Sequence, residues 1–151
     1  MIEMMKMKRN EGFTFIEVIT TITLMALLLA MVMPSLQQSY QQLQMDVAIQ
    51  TLHKNIRWAQ RLADKEQKRV HIRFYPSEEP CRYEIYFNGT TVCLKEVTLP
   101  DGLTKTELKS IIIRPDKTFK NNGHILIQKG DITRYVYYYQ TGRSRVTAKA
   151  E

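Results

Sequence analysis

The run of 21 residues from Phe13 to Met33, FTFIEVITTITLMALLLAMVM, constrains this chain more than any other feature. Sixteen of these residues are apolar, and residues 24–33 show no polar face. A helix of this length rises about 1.5 Å per residue and reaches roughly 31 Å, enough to cross the hydrocarbon core of a bilayer. The run therefore predicts a transmembrane helix over residues 13–33 in preference to a helix buried in a soluble core.

The charges on either side of this run predict its orientation. Lys6, Lys8 and Arg9 precede it, and the next Lys or Arg after it is Lys54. Positive charge collects on the cytoplasmic side of a membrane span, so we expect the N-terminus inside and the C-terminus outside. The run ends in AMVMPS without the small-residue cleavage site of a secretory signal peptide. This favours a single-pass anchor in the cell membrane.

Glu17 places a carboxyl group five residues into the apolar run. A charged side chain at the centre of a membrane costs about 2.5–3.5 kcal/mol on insertion scales. Two interpretations stay open: the side chain reaches the interface near the helix start, or its charge requires a partner.

Residues 8–17, KRNEGFTFIE, followed by the apolar run, resemble the type IV pilin signature. The resemblance implies a leader over residues 1–12 that prepilin peptidase removes by cutting between Gly12 and Phe13. It also implies that Phe13 becomes N-methylated and that Glu17 pairs with Phe13 of a neighbouring subunit during assembly. The implied partners are other pilin and pseudopilin subunits, prepilin peptidase and the membrane, with exposure at the cell surface after assembly.

The C-terminal segment GDITRYVYYYQTGRSRVTAKAE, preceded by NNGHILIQKG, narrows this resemblance. It is similar to the minor pseudopilins of Gram-positive competence systems, the ComGD group, which is related to the GspH/FimT-type pseudopilins. The similarity implies a subunit of a type IV pilus-like machine for DNA binding and uptake in transformation. A type II secretion pseudopilin, and a membrane-anchored adhesin or sensor that keeps its leader, are the alternatives.

A basic tail ends the chain, with Arg143, Arg145 and Lys149 as its cations. It resembles the GRxR tail of FimT-like minor pilins, which contact DNA. Arginine and lysine neutralise phosphates without reading sequence, so these three residues are candidates for DNA binding. A solvated strand end is the alternative.

The remaining sequence predicts an α+β fold: a long N-terminal pilin helix, transmembrane and then amphipathic, packed on a small antiparallel β domain. Short β-branched and aromatic runs separated by turn signals predict about six strands within residues 69–151. Apolar residues at steps of three and four predict an amphipathic helix over residues 34–68. The predicted apolar face contains Leu36, Tyr40, Leu43, Val47, Ala48, Leu52, Ile56, Ala59 and Ala63.

Two cysteines, Cys81 and Cys93, lie on the side of the membrane where disulfides persist. A two-residue turn at Asn88-Gly89 would place Cys93 opposite Glu84 and not opposite Cys81. A disulfide and two free thiols therefore both stay open.

The sequence has no catalytic or metal-binding constellation. His53, His71 and His124 are widely scattered, and no HExxH, CxxC, GxSxG or glycine-rich phosphate loop occurs. We therefore expect no enzyme activity, no metal and no cofactor.

Overall fold

The structure, a computed structural model, describes residues 13–148 and consists of one long helix followed by eight strands. The helix α1 spans Phe15–Glu66. The strands are β1 (Val70–Tyr75), β2 (Arg82–Phe87), β3 (Cys93–Thr98), β4 (Lys105–Glu107), β5 (Ile111–Ile113), β6 (Gly123–Lys129), β7 (Ile132–Tyr138) and β8 (Ser144–Thr147). The sequence predicted about six of them, and the two additional strands, β4 and β8, are among the shortest.

The chain divides into two compact units, residues 1–39 and 40–151. In the first unit, the described residues 13–39 are helical from Phe15 onward. The second unit contains the remainder of α1 and all eight strands.

Within the second unit, α1 buries one face at alternating steps of four and three residues. That face contains Met45, Ile49, Leu52, Ile56, Ala59 and Ala63. The predicted apolar face was wrong before Ala48, because Tyr40, Leu43 and Val47 are more than half exposed. Met45 is two residues from both Leu43 and Val47, which is a rotation of roughly 200° around the helix. The helix therefore carries two apolar stripes, of which only one is buried in this unit.

The eight strands form two antiparallel four-stranded sheets. Their strand orders are β3-β2-β1-β5 and β4-β6-β7-β8. The buried side chains of both sheets form a single hydrophobic cluster with the buried face of α1. This confirms the predicted α+β fold class, a long N-terminal helix packed on antiparallel β-sheets.

A polar contact within the core joins α1 to the first sheet. Asn55 Nδ2 donates a hydrogen bond to the Tyr83 hydroxyl oxygen at 2.6 Å, and Lys95 Nζ donates to Asn55 Oδ1 at 2.8 Å. Asn55 and Tyr83 are both buried, and burial raises the pKa of Tyr83. A buried amide whose groups are bonded in this way avoids most of its desolvation cost.

The disulfide between Cys81 and Cys93 does not form in this structure, where both cysteines are free thiols. Strand β3 begins at Cys93, so the connection from β2 is longer than the predicted two-residue turn, and Cys93 pairs with Tyr86 and not with Glu84. Tyr86 is five residues from Cys81, which corresponds to roughly 16 Å along a strand. This separation exceeds the span of a disulfide.

Candidate functional site

The first candidate site is the start of α1, where Thr14 and Glu17 form a reciprocal cap. The Thr14 backbone N–H donates a hydrogen bond to Glu17 Oε2 at 3.2 Å, and the Glu17 backbone N–H donates to Thr14 Oγ1 at 3.3 Å. The Thr14 hydroxyl also donates to Glu17 Oε2 at 3.2 Å. This is a capping box, which satisfies N–H groups that have no partner inside the helix. The T-x-x-E spacing of Thr14 and Glu17 is the sequence signal for this cap.

The threonines of the apolar segment are satisfied within the helix. The hydroxyls of Thr20, Thr21 and Thr23 donate to the backbone carbonyls of Ile16, Val18 and Ile19 at 2.8–2.9 Å. A hydroxyl that is already bonded to its own helix costs less to place in an apolar environment. The segment therefore remains suited to hydrocarbon despite its threonines.

The part of the chain that the structure describes leaves the apolar side chains of this segment largely exposed. Phe13 is 85% exposed, and Leu24, Leu27 and Leu29 are each about 60% exposed. Within the described residues, α1 is the one helix long and apolar enough to cross a membrane, and the apolar window that meets this test is not buried. The predicted cleavage position Gly12 lies outside the described residues.

The second candidate site is the turn that leads into β8, where a glycine is required. The Tyr139 N–H donates to the Arg143 carbonyl at 2.9 Å, and the Gly142 N–H donates to the Tyr139 carbonyl at 2.8 Å. Gly142 has a φ of +82°, and a Cβ there would lie 2.9 Å from the Lys117 carbonyl oxygen. Glycine tolerates both the backbone conformation and the close approach.

Gln60 on α1 forms hydrogen bonds with this turn through its side chain. Its side chain is buried, and its Nε2 donates to the carbonyl oxygens of Lys117 at 2.8 Å and Gly142 at 2.9 Å. Sequence reasoning missed Gln60, because an amide on the buried side of an amphipathic helix carries no motif.

The structure brings Arg143 and Arg145 together around one open cavity of about 510 Å³. Arg57 of α1 lines the same cavity, and no sequence motif points to this residue. All three side chains are exposed. Three guanidinium groups around one cavity can bind phosphate oxygens, since arginine recognises phosphate with paired N–H donors. The third predicted cation, Lys149, lies outside the described residues.

His53 adds a titratable group beside this basic cavity. Its Nε2 lies 3.0 Å from Ser144 Oγ. Burial lowers the pKa of His53, a hydrogen bond with the Ser144 backbone partly opposes that shift, and the charge of Arg57 lowers the pKa further. The imidazole is therefore held in its neutral form more strongly than an ordinary histidine.

The exposed apolar stripe of α1 borders a second cavity, of about 440 Å³. Tyr40, Leu43 and Val47 line it from the helix, and Leu99 and Pro100 line it from the segment after β3. Most of its lining is apolar, so it is suited to contact with another apolar surface.

The other histidines do not form a metal centre. His124 Nε2 lies 3.1 Å from Glu107 Oε2, and His71 packs beside Tyr86 with a ring-centroid distance of 5.5 Å. Within residues 13–148 there is no group of three or more His, Cys, Asp or Glu side chains placed to hold a metal ion.

Comparison with known proteins gives one match for the N-terminal sequence and one for the fold. Residues 7–33 match the family described as the prokaryotic N-terminal methylation motif. The fold is similar to the crystal structure of the type IV minor pilin FimU of Pseudomonas aeruginosa, with a TM-score of 0.57 and 16% sequence identity. The similarity covers 68% of this chain and 87% of the FimU chain. No curated protein sequence matches the chain.

The chain therefore carries the N-terminal methylation motif, and its fold is similar to that of a type IV minor pilin. The predicted resemblance to type IV pilins is confirmed at this level.

Proposed function

We propose that this chain is a minor pseudopilin subunit of a competence type IV pilus-like machine, which binds DNA and takes it up during transformation. The observation that carries the proposal is the methylation motif at the head of an apolar helix that its own chain leaves exposed. The minor-pilin-like fold supports the same assignment.

The proposal assigns successive environments to the exposed apolar helix. Before assembly, the chain is a single-pass membrane protein with its N-terminus inside and its C-terminus outside. Prepilin peptidase cuts between Gly12 and Phe13, and the new N-terminus is methylated. In the filament at the cell surface, other pilin and pseudopilin subunits replace lipid around the apolar side chains, because such an area of apolar surface is unfavourable in water.

Glu17 has a defined role in this scheme. Its carboxylate pairs with the ammonium group of Phe13 on a neighbouring subunit, so that neither charge is left alone in an apolar filament core. The capping box supports this role, because it holds the carboxylate beside the start of α1.

The basic cavity gives the proposed subunit its contact with DNA. Arg143 and Arg145, with Lys149 from the tail and Arg57 from α1, neutralise backbone phosphates. Phosphate contacts by the three tail cations alone correspond to a slope of about 2–3 in a log–log plot of affinity against salt, so one subunit binds weakly at physiological salt. Several subunits in one filament would add avidity. A type II secretion pseudopilin or an anchored adhesin or sensor would not require this cluster.

The DNA contact is tested with the processed full-length chain in detergent micelles. A mobility shift with duplex DNA at low salt should appear for the wild type and disappear when Arg143→Ala and Arg145→Ala are combined. The matched control combines Lys54→Ala with Arg61→Ala, two exposed cations of α1, and should keep the shift. Equal binding by the tail variant would refute the DNA role of the tail.

Processing is tested separately by the intact mass of the chain from cells that contain prepilin peptidase. The proposal requires a chain that begins at methylated Phe13. Retention of Met1 in such cells would refute the assignment as a processed pilin subunit.

A further inference from the structure

We infer that a second basic cleft, on the outer face of the first sheet and separate from the tail, is a binding site for a phosphate group. The cleft has a volume of about 280 Å³ and is lined by Arg69, His71, Asn88, Ile112, Arg114 and Lys120. It shares no lining residue with the cavity around Arg143 and Arg145.

The three cations of this cleft come from two segments, Arg69 just before β1 and Arg114 and Lys120 in the connection from β5 to β6, and hydrogen bonds fix the backbone at each of them. The Asn88 N–H donates to the Arg69 carbonyl at 2.8 Å, before β1 begins. The Arg114 N–H donates to the Thr118 carbonyl at 2.8 Å, and the Lys120 N–H donates to the Ile112 carbonyl at 2.9 Å. Positive side chains that start from fixed backbone positions around one cleft are preorganised for an anion.

No acid within the described residues neutralises these cations by pairing with them. Arg69, Arg114 and Lys120 take part in no ion pair within residues 13–148. Other cations of the same unit are paired, as in the contact of Lys117 Nζ with Asp64 Oδ2 at 2.9 Å. The cleft therefore concentrates positive charge that an anionic ligand can neutralise.

Two acids, Asp116 in the loop after β5 and Glu84 on β2, form hydrogen bonds with other residues. Asp116 accepts hydrogen bonds from the Thr118 backbone N–H at 3.0 Å and from the Thr118 hydroxyl at 2.6 Å. Glu84, on β2, accepts from the Tyr75 hydroxyl at 2.9 Å and from Arg82 Nη1 at 2.7 Å. The charge of Arg114 also contributes to the lowered pKa of Asp116, but the two residues form no ion pair.

His71 lines the cleft, and its pKa depends on the electrostatic potential there. In the sheet it pairs with Tyr86 of β2 and Ile112 of β5. Burial lowers the pKa of His71, and the charges of Arg73, Arg69 and Lys120 lower it further. A bound anion would offset those charges and raise this pKa.

The chemistry of the cleft matches phosphate better than carboxylate. Arginine offers paired N–H donors, lysine adds a point charge, and the exposed Asn88 amide supplies a neutral donor at the rim. Phosphate presents more acceptor oxygens than a carboxylate and so can use several of these donors at once. The phosphate can be free inorganic phosphate or part of a nucleic-acid backbone, and only the second source rests on the proposed function.

The test uses the full-length chain in maltoside micelles, whose headgroups contain no phosphate, with ¹³C-labelled histidine rings. The probe is inorganic phosphate, compared with chloride at equal ionic strength, and His71→Gln assigns the His71 signal. The His71 pKa should be higher in phosphate than in chloride. An unchanged His71 pKa would overturn the inference.

Two double variants distinguish binding in the cleft from non-specific attraction of phosphate to a positively charged protein. Arg114→Gln combined with Lys120→Gln should weaken phosphate binding by roughly tenfold or more, the usual effect of losing charged hydrogen bonds. Lys54→Gln combined with Arg61→Gln removes the same charge from exposed positions on α1 and should bind like the wild type. If the first pair binds as well as the second, the cleft is not the site.

A short oligothymidylate without a terminal phosphate distinguishes the two sources. If it raises the His71 pKa at lower concentrations than inorganic phosphate, the cleft binds a phosphodiester strand. If only inorganic phosphate acts, the site takes free phosphate and the nucleic-acid source is refuted. Repeating the titration with Arg143→Ala and Arg145→Ala keeps this result independent of the tail, since the His71 response should persist there.

Discussion

Two parts of the same helix, residues 13–39 and the stretch from Met45 to Ala63, contain similar apolar residues but differ in whether those residues are buried. Leu27 is 59% exposed, whereas Leu52 is fully buried. Both are leucines in α1, but the first is surrounded by apolar neighbours on all sides and the second belongs to a single stripe. An apolar stripe is covered by the protein's own sheets, and an all-round apolar surface needs lipid or other subunits to cover it.

The largest effect is expected from a substitution in the first part of the helix, at Glu17, and it concerns assembly into the filament. Glu17→Val should be cleaved normally but should fail to enter the filament, as measured by co-purification with the other pilin subunits. Glu17→Gln is the matched control, because glutamine keeps the capping box and removes the charge. Loss of assembly in both variants identifies the charge as essential, whereas normal assembly of Glu17→Gln would contradict the pairing with Phe13.

The next effect compares one leucine from each part. Leu52→Ala should lower the free energy of unfolding by about 2–5 kcal/mol, because it leaves a cavity in the core. Leu27→Ala should leave this free energy unchanged, because the chain does not bury Leu27. Urea unfolding in detergent, followed by the fluorescence of Trp58, the one tryptophan of the chain, measures both. If both variants lost the same free energy of unfolding, the claim that only the second part of the helix is buried by its own chain would be contradicted.

A smaller effect is expected from the polar contact in the core. Tyr83→Phe removes the acceptor of the Asn55 amide and should cost about 1–3 kcal/mol, the penalty for a buried donor left without a partner. Tyr40→Phe, at an exposed position of α1, should change stability by less than about 0.5 kcal/mol. The same urea measurement checks both, and a neutral Tyr83→Phe would mean that water replaces the hydroxyl.

The smallest effect is a dependence on pH that belongs to the second unit, since residues 13–39 contain no histidine. An unfolded histidine has a pKa of about 6.5, and the folded chain lowers the pKa of His53 and His71. As pH falls below about 7, the unfolded chain binds more protons than the folded chain, so stability decreases. The Tm of the wild type should therefore fall more between about pH 7.5 and 5.5 than that of His53→Gln. A parallel fall would exclude His53 as a source.

The parts of the fold that the sequence predicted well are those with strong local patterns. The apolar run and the steps from Leu52 to Ala63 specify the helix, and β-branched runs such as Ile111–Ile113 specify strands. The stripe at Leu43 and Val47 was assigned to the wrong face, because two apolar stripes share that stretch of helix. Strand β4, with the sequence KTE, has no apolar alternation and depends on pairing with β6.

The candidate sites were predictable only where a motif is continuous in sequence. Gly12, Phe13 and Glu17 lie within one motif, although the structure does not describe Gly12. Arg57 was missed because its neighbours in the basic cavity are more than 80 residues away in the chain. The same holds for the cleft around His71, whose cations come from two segments more than 40 residues apart in the chain.

The position of β8 has a mechanical consequence. It pairs only with β7, so it is an edge strand held by a single row of backbone hydrogen bonds. Gln60 and His53 tie the entrance of that strand to α1 through Gly142 and Ser144. A pulling force on Arg143 therefore reaches the long helix through side-chain contacts as well as through the sheet. In the proposed filament, tension on Arg143 would act on an edge strand that these contacts hold against peeling.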